Sequence, residues 1–396
     1  MKILFFGRLC EESIVWLQNL SSLNYSISFI NTHQNYFDDE YYRNNLKIDK
    51  FDLFKNHKFP YGIKNLMELY LYDKRILNYS PGYLRTTKDL LQRYFCENSF
   101  DLIFTWWGSD VFYELYILLV ELKLNIPVIH IINTYPAMPI RSVYGFFEDQ
   151  FYKRFIDKID GIVYYSGEMK NYFTNKIRSE EITSITIIDP PYSMKSYYQE
   201  RITLKKNHVL DRQDDSPYLI FLGRTDFSND FRRKKDNVKS ELLNISKHKI
   251  HIFLRQTSSI KESDYIHFYP SFSSEELLNG YFATYVHQFD ASLTIYNEFG
   301  NTRRYMNGLS TRFAYSLTAG IPIITRGSSI FAKKIFQKHN NGFTYSTIAE
   351  LKRQLLNTDQ LAKMKRSAEK NIDFFSFESY AEEFKCFLES VINKKT

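Results

Sequence analysis

Two stretches in the second half of the chain carry residue types suited to holding an anion. Leu309–Arg326, LSTRFAYSLTAGIPIITR, reads as loop, helix, tight turn and buried strand. Ser310 or Thr311 can cap a helix whose first amides have no internal partner. Phe313, Leu317 and Ala319 give that helix an apolar side, and Gly320 ends it. Ile321–Thr325 is a β-branched run, as expected of a strand buried on both faces. A capped helix start aimed at open space, one turn from a parallel sheet, favours negative charge, above all a diphosphate. The alternative is an ordinary helix–strand unit with nothing bound. The other stretch is a short strand, Tyr218–Leu222, that runs into Gly223-Arg224. A guanidinium can grip a phosphate in two places. Arg232-Arg233-Lys234-Lys235 follows, as a further anion contact or as a solvated basic loop.

The first half offers a carboxylate in a suggestive place. The strand Asp101–Trp107 ends in Trp106-Trp107-Gly108-Ser109-Asp110, and open parallel sheets keep their chemistry at the C-terminal ends of strands. Asp110 can act there as a general base for a hydroxyl, or hydrogen-bond it without taking its proton. It can equally cap a helix over Val111–Leu122. Trp106 and Trp107 offer a stacking face for a sugar ring, one of them being core. Arg8 sits at the tip of the turn after the strand Ile3–Phe6 and Gly7, on the same rim; an exposed loop arginine is the other reading. His130 lies inside the apolar strand Pro127–Ile132, the setting of a hydrogen-bonded core histidine.

The elements that must position these residues alternate in type along the chain. Strand, glycine turn and the helical spacing of Ile14, Val15, Leu17 and Leu20 make a first βα unit, without a G-x-G-x-x-G fingerprint. Further strands are read at Tyr25–Ile30, Gly161–Tyr165, Ile182–Ile188, Lys249–Leu254, Tyr265–Tyr269 and Phe289–Ile295. Ser273-Ser274-Glu275-Glu276 is a helix-capping pattern. Such alternation predicts parallel sheets covered by helices. Ser193–Ser216, polar and aperiodic, reads as a hinge.

In this order the segments resemble those of glycosyltransferases with two Rossmann-like domains, the GT-B fold, in particular the group-1 (family 4) type. Thr311–Ile323 stands where that family has its nucleotide-sugar segment, asparagine-lysine-leucine-phenylalanine-glutamate-tyrosine-leucine-alanine-alanine-glycine-leucine-proline-valine. The family's glutamate five residues before the glycine is Tyr315 here, and its partner eight residues earlier is Asn307, so the paired-glutamate signature is absent. Gly223-Arg224 is similar to the family's phenylalanine-valine-glycine-arginine, whose arginine reaches the donor diphosphate; the lysine usual five residues later is Asn229. The resemblance implies an α/β architecture with two Rossmann-like domains facing a cleft and a C-terminal helix crossing back to the first. The domains would be residues 1–192 for the acceptor and 217–375 for the nucleotide sugar, with a linker at 193–216 and the crossing helix at 376–396. It places Gly223, Arg224, Ser310, Thr311 and Arg312 at the donor diphosphate. Tyr269, Ser271, Asn307 and Tyr315 fall beside the nucleoside or sugar. Asp110 would be catalytic, with Arg8, Trp107 and Ser109 on the acceptor side.

The activity so implied is transfer of a sugar from a nucleotide-diphosphate sugar, a UDP-sugar first, to a hydroxyl of a glycan, glycolipid or protein-linked sugar in bacterial surface glycoconjugate synthesis. No cofactor beyond the donor substrate is expected. No metal is expected either, since the chain has no convincing D-x-D pair. Two other readings stay open: a non-catalytic GT-B partner or chaperone of another glycosyltransferase, motivated by Tyr315 and Asn307, and a nucleotide-sugar epimerase.

Bulk properties agree with a two-domain protein. The chain has 396 residues, 44% of them apolar, too many for one simple core. Residues 1–200 hold 22 basic and 24 acidic side chains, and residues 201–396 hold 30 and 21, so the net charge of +7 comes from the second half. That half suits an anionic ligand or peripheral contact with an anionic membrane, although solubility alone would explain a modest excess. No nucleic-acid motif accompanies the charge, and nucleic acid is not an expected partner. Three widely spaced cysteines suggest a reducing compartment. Met1-Lys2 leads straight into a strand, and no run approaches about 18 apolar residues. A cytoplasmic protein, at most at the inner face of the membrane, is expected.

Overall fold

The structure, a computed structural model, describes residues 1–32, 42, 46, 48–53, 63–106, 109–135, 143–187, 202–223, 225, 237–257, 259–296 and 311–394. It divides into two compact units. One comprises Met1–Ile187 and Ala381–Thr396, the other Ile188–Tyr380.

The first unit is built on a sheet of β1 (Lys2–Gly7), β2 (Ser26–Asn31), β3 (Asp49–Asp52), β4 (Leu102–Trp106), β5 (Val128–Ile132), β6 (Gly161–Tyr164) and β7 (Thr183–Thr186). Their order is β3-β2-β1-β4-β5-β6-β7, and every pairing is parallel. Helices cover both faces. Phe5 stacks on Phe104, which meets Trp16 of the helix Glu11–Ser22 and Phe384 of the final helix Ala381–Asn393, with Trp16 and Phe384 ring centroids 5.7 Å apart. Leu4, Phe6 and Ile103 face the other layer, where Leu84, Leu91, Phe112, Phe151 and Phe173 come from four successive helices. Gly161 leaves room for the final helix: a Cβ there would lie 2.7 Å from Val391 and 3.0 Å from Phe387. The last helix thus packs on the first unit, as the fold class expected.

The second unit repeats the plan with β8 (Tyr218–Phe221), β9 (His251–Arg255), β10 (Ile266–Tyr269), β11 (Ala291–Leu293), β12 (Ile323–Arg326) and β13 (Gly342–Tyr345). Again all strands are parallel, in the order β10-β9-β8-β11-β12-β13. Leu219, Phe221, Ile252 and Leu293 pack with Leu242, Leu351 and Met364 on one face. Tyr218, Ile220 and Leu222 pack with Phe282, Tyr285 and Ala319 on the other. Residues 202–216, within the stretch read as hinge, are laced onto this unit. Lys205 N donates to Tyr281 Oη (2.8 Å), Leu210 N to Gln288 Oε1 (2.8 Å), and Arg212 pairs with Asp290 (2.7 Å). Asp214 Oδ1 lies 3.1 Å from His251 Nε2, whose other ring nitrogen is 2.7 Å from His267 Nε2.

Both sheets belong to the doubly wound class, in which the strands run outward in opposite directions from a switch point. In the first unit that point lies between β1 and β4, in the second between β8 and β11. No helix among the described residues is long and apolar enough to cross a membrane.

His130 on β5 is a core residue. Its Nδ1 lies 2.7 Å from Thr105 Oγ1 and its Nε2 lies 3.2 Å from Tyr152 Oη. Phe112 meets the ring edge-on at 4.8 Å. Burial lowers its pKa from 6.5 to about 3. A base whose folded pKa lies below its unfolded value keeps its full stability at high pH and loses it as pH falls below the unfolded value. Between pH 7 and pH 5 this residue should cost the fold about 2 kcal/mol. Denaturant unfolding at the two pH values should therefore show a shallower decline in His130→Asn than in the parent. Equal slopes would contradict the assignment.

Candidate functional site

In the second unit the switch point is built around one guanidinium. β8 ends at Phe221, and Gly223 N returns to Phe221 O at 3.2 Å, closing a tight turn. Arg312 is the second residue of the helix Thr311–Ala319. A Cβ on Gly223 would lie 2.3 Å from Cζ and from Nε of Arg312 and 2.7 Å from its Nη2. Real Cβ atoms do not come that near, so a side chain here would displace the guanidinium, the mobile end of Arg312. Gly223 has no left-handed φ; close approach alone explains it. Arg312 Cζ also lies 5.1 Å from the Phe221 ring centroid and 5.0 Å from that of Tyr296, within the range of cation–π attraction. Its Nη1 donates to Ile295 O at 3.4 Å.

The helix that carries Arg312 is anchored by polar and backbone devices. Ser316 Oγ bonds to Arg312 O at 2.8 Å, one turn back, and to Ser292 Oγ on β11 at 2.6 Å. Gly320, at φ +65, ends the helix in the left-handed conformation that glycine tolerates. From its first turn the side chain of Arg312 reaches the β8 turn. Tyr269, the last residue of β10, has its phenol pushed up to about 12 by burial, against the opposing pull of Arg255 and Arg312. Ser271 follows β10 and is exposed. Tyr315 meets Phe282 edge-on, with centroids 5.4 Å apart, in a cluster with Phe272 and Tyr285. Arg224, Asn307 and Ser310 lie outside the described residues, as does the cluster Arg232–Lys235.

The structure thus brings together Gly223 and the Arg312 side chain, which stand 89 positions apart in sequence. Sequence reasoning missed the residues that enclose Arg312, namely Phe221, Ile295 and Tyr296. It also missed Glu241, whose Oε1 accepts from Arg326 Nε (2.7 Å) and Tyr345 Oη (2.6 Å) at the ends of β12 and β13. Neither group has a local signal, because the partners come from different elements.

In the first unit Gly7 closes β1 beside β4, where a Cβ would lie 2.8 Å from Trp106 O. Thr32 N and Oγ1 both donate to Gly7 O, at 2.9 and 3.1 Å. Leu9 N donates to Asn31 Oδ1 (3.0 Å), and Asn31 Nδ2 donates to Asp52 Oδ1 (2.9 Å), beside a largely buried Lys50–Asp52 pair. Arg8, half-buried, leaves this braced turn. Trp106 is fully buried and is the core member of its pair; Trp107 and Gly108 lie outside the described residues. The helix runs from Ser109 to Glu121, so Asp110 stands in its first turn, not ahead of it as a cap would.

Among the described residues, no group of three or more His, Cys, Asp or Glu side chains is placed to hold a metal ion. Of the cysteines, Cys10 is buried and Cys96 and Cys386 are exposed, all three unbridged.

No family model matches the sequence, and no curated relative does. Solved structures match over nearly the whole chain. The pneumococcal O-GlcNAc transferase GtfA, in complex with UDP and GlcNAc, has a TM-score of 0.63 at 11% identity, covering 99% of both chains. TarM has a TM-score of 0.61 at 10% identity, covering 98% of each chain. A trehalose-6-phosphate protein from E. coli, bound with UDP-2-fluoro glucose, has a TM-score of 0.57 at 10% identity over 99% of both chains. At these identities the likeness is one of fold: the chain has two Rossmann-like units of the GT-B type.

Adding one methyl group at Gly223 should drive the guanidinium out of its seat. Gly223→Ala is expected to displace that guanidinium, the mobile end of a long side chain, and to lower unfolding stability by no more than about 1 kcal/mol. Gly82→Ala, where the methyl meets open space, should leave stability unchanged or slightly higher. Equal effects of the two substitutions in chemical denaturation would count against the contact.

Proposed function

We propose that this chain is a glycosyltransferase that moves a sugar from a nucleoside-diphosphate donor, UDP-linked, to a hydroxyl acceptor. The observation that carries this reading is the meeting of Gly223 with the side chain of Arg312, from the first turn of the Thr311–Ala319 helix, at the switch point of a parallel sheet. Ligands of such sheets bind in that crevice. There helix amides and a neighbouring arginine can together neutralise a leaving diphosphate. The likeness in fold to a transferase bound to UDP and to a protein bound with a UDP-sugar supports the choice of base.

In the reaction the bond between the sugar's anomeric carbon and the diphosphate oxygen breaks, and the acceptor oxygen bonds to that carbon. Charge builds on the departing diphosphate. Arg224, with the amides and hydroxyls of Ser310 and Thr311, would hold it, so that the protein itself supplies the positive charge. Tyr269, Ser271, Asn307 and Tyr315 would flank the nucleoside and sugar. Tyr315 lies where a glutamate would otherwise meet the donor ribose, so recognition there would rest on aromatic packing and on Asn307. Asp110 would hydrogen-bond the acceptor hydroxyl and draw on its proton as the oxygen attacks. Arg8, Trp107 and Ser109 would shape the acceptor side, for a glycan or a lipid-linked sugar.

Calorimetry with UDP and GDP, followed by a released-nucleotide assay with UDP- and GDP-sugars, tests this. UDP should bind, and nucleotide should be released from a donor only when a hydroxyl acceptor is present. Arg224→Ala should weaken UDP binding by about tenfold to a hundredfold, the worth of a charged hydrogen bond. Asp110→Asn should lower turnover and leave UDP affinity unchanged. Binding of neither nucleotide would favour a non-catalytic partner protein; conversion of donor without acceptor would favour an epimerase.

A further inference from the structure

At the opposite edge of the second sheet, where β8, β9 and β10 begin, three titratable side chains stand in a row. Asp214, in the stretch that leads into β8, has its Oδ1 3.1 Å from His251 Nε2. His251 opens β9, and its Nδ1 lies 2.7 Å from Nε2 of His267 on β10. The His251 ring is buried, stacked on Tyr218 at 4.2 Å and tilted against Tyr265 at 4.9 Å. His267 is half-buried and stacks on Phe253 at 4.6 Å. Asp214 Oδ1 also accepts from Ser216 N (2.8 Å), and Tyr218 Oη accepts from Gln213 N (2.7 Å). Other charges stand further out. Arg212 lies over the Tyr218 ring and pairs with Asp290, and Glu262 acts on His267 from the segment ahead of β10.

The heavy atoms fix where the hydrogens go. The bond from the Ser216 amide holds the Asp214 carboxyl below the usual carboxylate range, so it accepts. His251 Nε2 therefore carries a hydrogen and donates it. At 2.7 Å a single hydrogen must lie between the two rings. With His251 neutral, that hydrogen belongs to His267 Nε2. A proton added to the outer nitrogen of His267 leaves the row intact. A further proton on His251 Nδ1 sets two N–H groups head to head, and the rings must part. We propose that Asp214, His251 and His267 form a proton-operated latch on residues 213–216, closed while at most one ring is charged and open when both are. Burial, and then the neighbouring His251, lower the pKa of His267 from 6.5. A base shifted that way gives its full stability at high pH and loses it as pH falls below the unfolded value, so acid opens the latch. The row lies away from the C-terminal edge and does not depend on the donor reading.

Three measurements on the full-length protein decide it. NMR of 15N-labelled histidine at pH 8 should find both rings with hydrogen on Nε2. On acidification the pair should titrate in two steps separated by more than about one pH unit, as strongly interacting sites do. Hydrogen on His251 Nδ1 at pH 8, or both rings titrating together, overturns the proposal. Amide exchange at residues 213–216, corrected for its intrinsic pH dependence, should rise about tenfold or more across the second step while β11 and β12 stay protected. No rise, or loss of protection throughout the unit at that pH, overturns it as well. The third is His267→Gln. A glutamine amide can turn to donate to a bare nitrogen or to accept from a protonated one, so it keeps the contact in both states. Residues 213–216 should then stay protected across the same pH range, and a rise equal to the parent's would overturn the latch. The two parent measurements decide by themselves if this variant does not fold.

Discussion

A parallel sheet whose strand order reverses leaves one gap at its C-terminal edge that neighbouring connections do not fill. Both units of this protein are organised by that constraint. In each, the chain leaves the first strand through a glycine at a close approach: Gly7 against Trp106 O, and Gly223 against the Arg312 guanidinium. In each, a helix begins at the same edge, at Ser109 and at Thr311. The residues with chemical potential fall there because nowhere else in such a sheet do helix starts, tight turns and open space coincide.

What differs between the two edges is how the turn is braced. In the first unit the bracing is a chain of neutral and paired groups, from Leu9 through Asn31 to Asp52 and Lys50. That arrangement holds position without committing net charge to the crevice. In the second unit a cation sits directly under the turn, between two aromatic rings and a carbonyl. Ser316, bridging Arg312 O and Ser292 Oγ, ties the helix that carries it to β11. Excess positive charge at this edge agrees with the basic second half of the chain and with an anionic occupant.

Much of this was legible in the sequence, for identifiable reasons. Strands buried on both faces read as mainly apolar runs, interrupted on β5 by His130, so Leu102–Phe104, Ile129–Ile132 and Ile321–Ile324 could be placed before any coordinates. Ser273 and Glu276 form the capping box that their spacing suggested. The edge strand β3, Asp49–Asp52, could not be read. It is short, polar and partly exposed, and it exists through its pairing with β2 and the bond from Asn31 to Asp52. At the candidate site, glycine, arginine and helix start were visible as types. That Phe221, Ile295 and Tyr296 would close around Arg312 was not, because enclosure is set by three strand and helix ends meeting in space. Tyr315 shows the same limit: its departure from the family's glutamate was plain, but its packing against Phe282 was not.

The central claim is that the edge between β8 and β11 receives a diphosphate over the Gly223 turn. Determining the structure with UDP bound tests it most directly. The account predicts the two phosphates at the first turn of the Thr311–Ala319 helix, within reach of Arg224, with the Arg312 guanidinium still seated against Phe221, Gly223 and Tyr296. UDP bound away from this edge would contradict it.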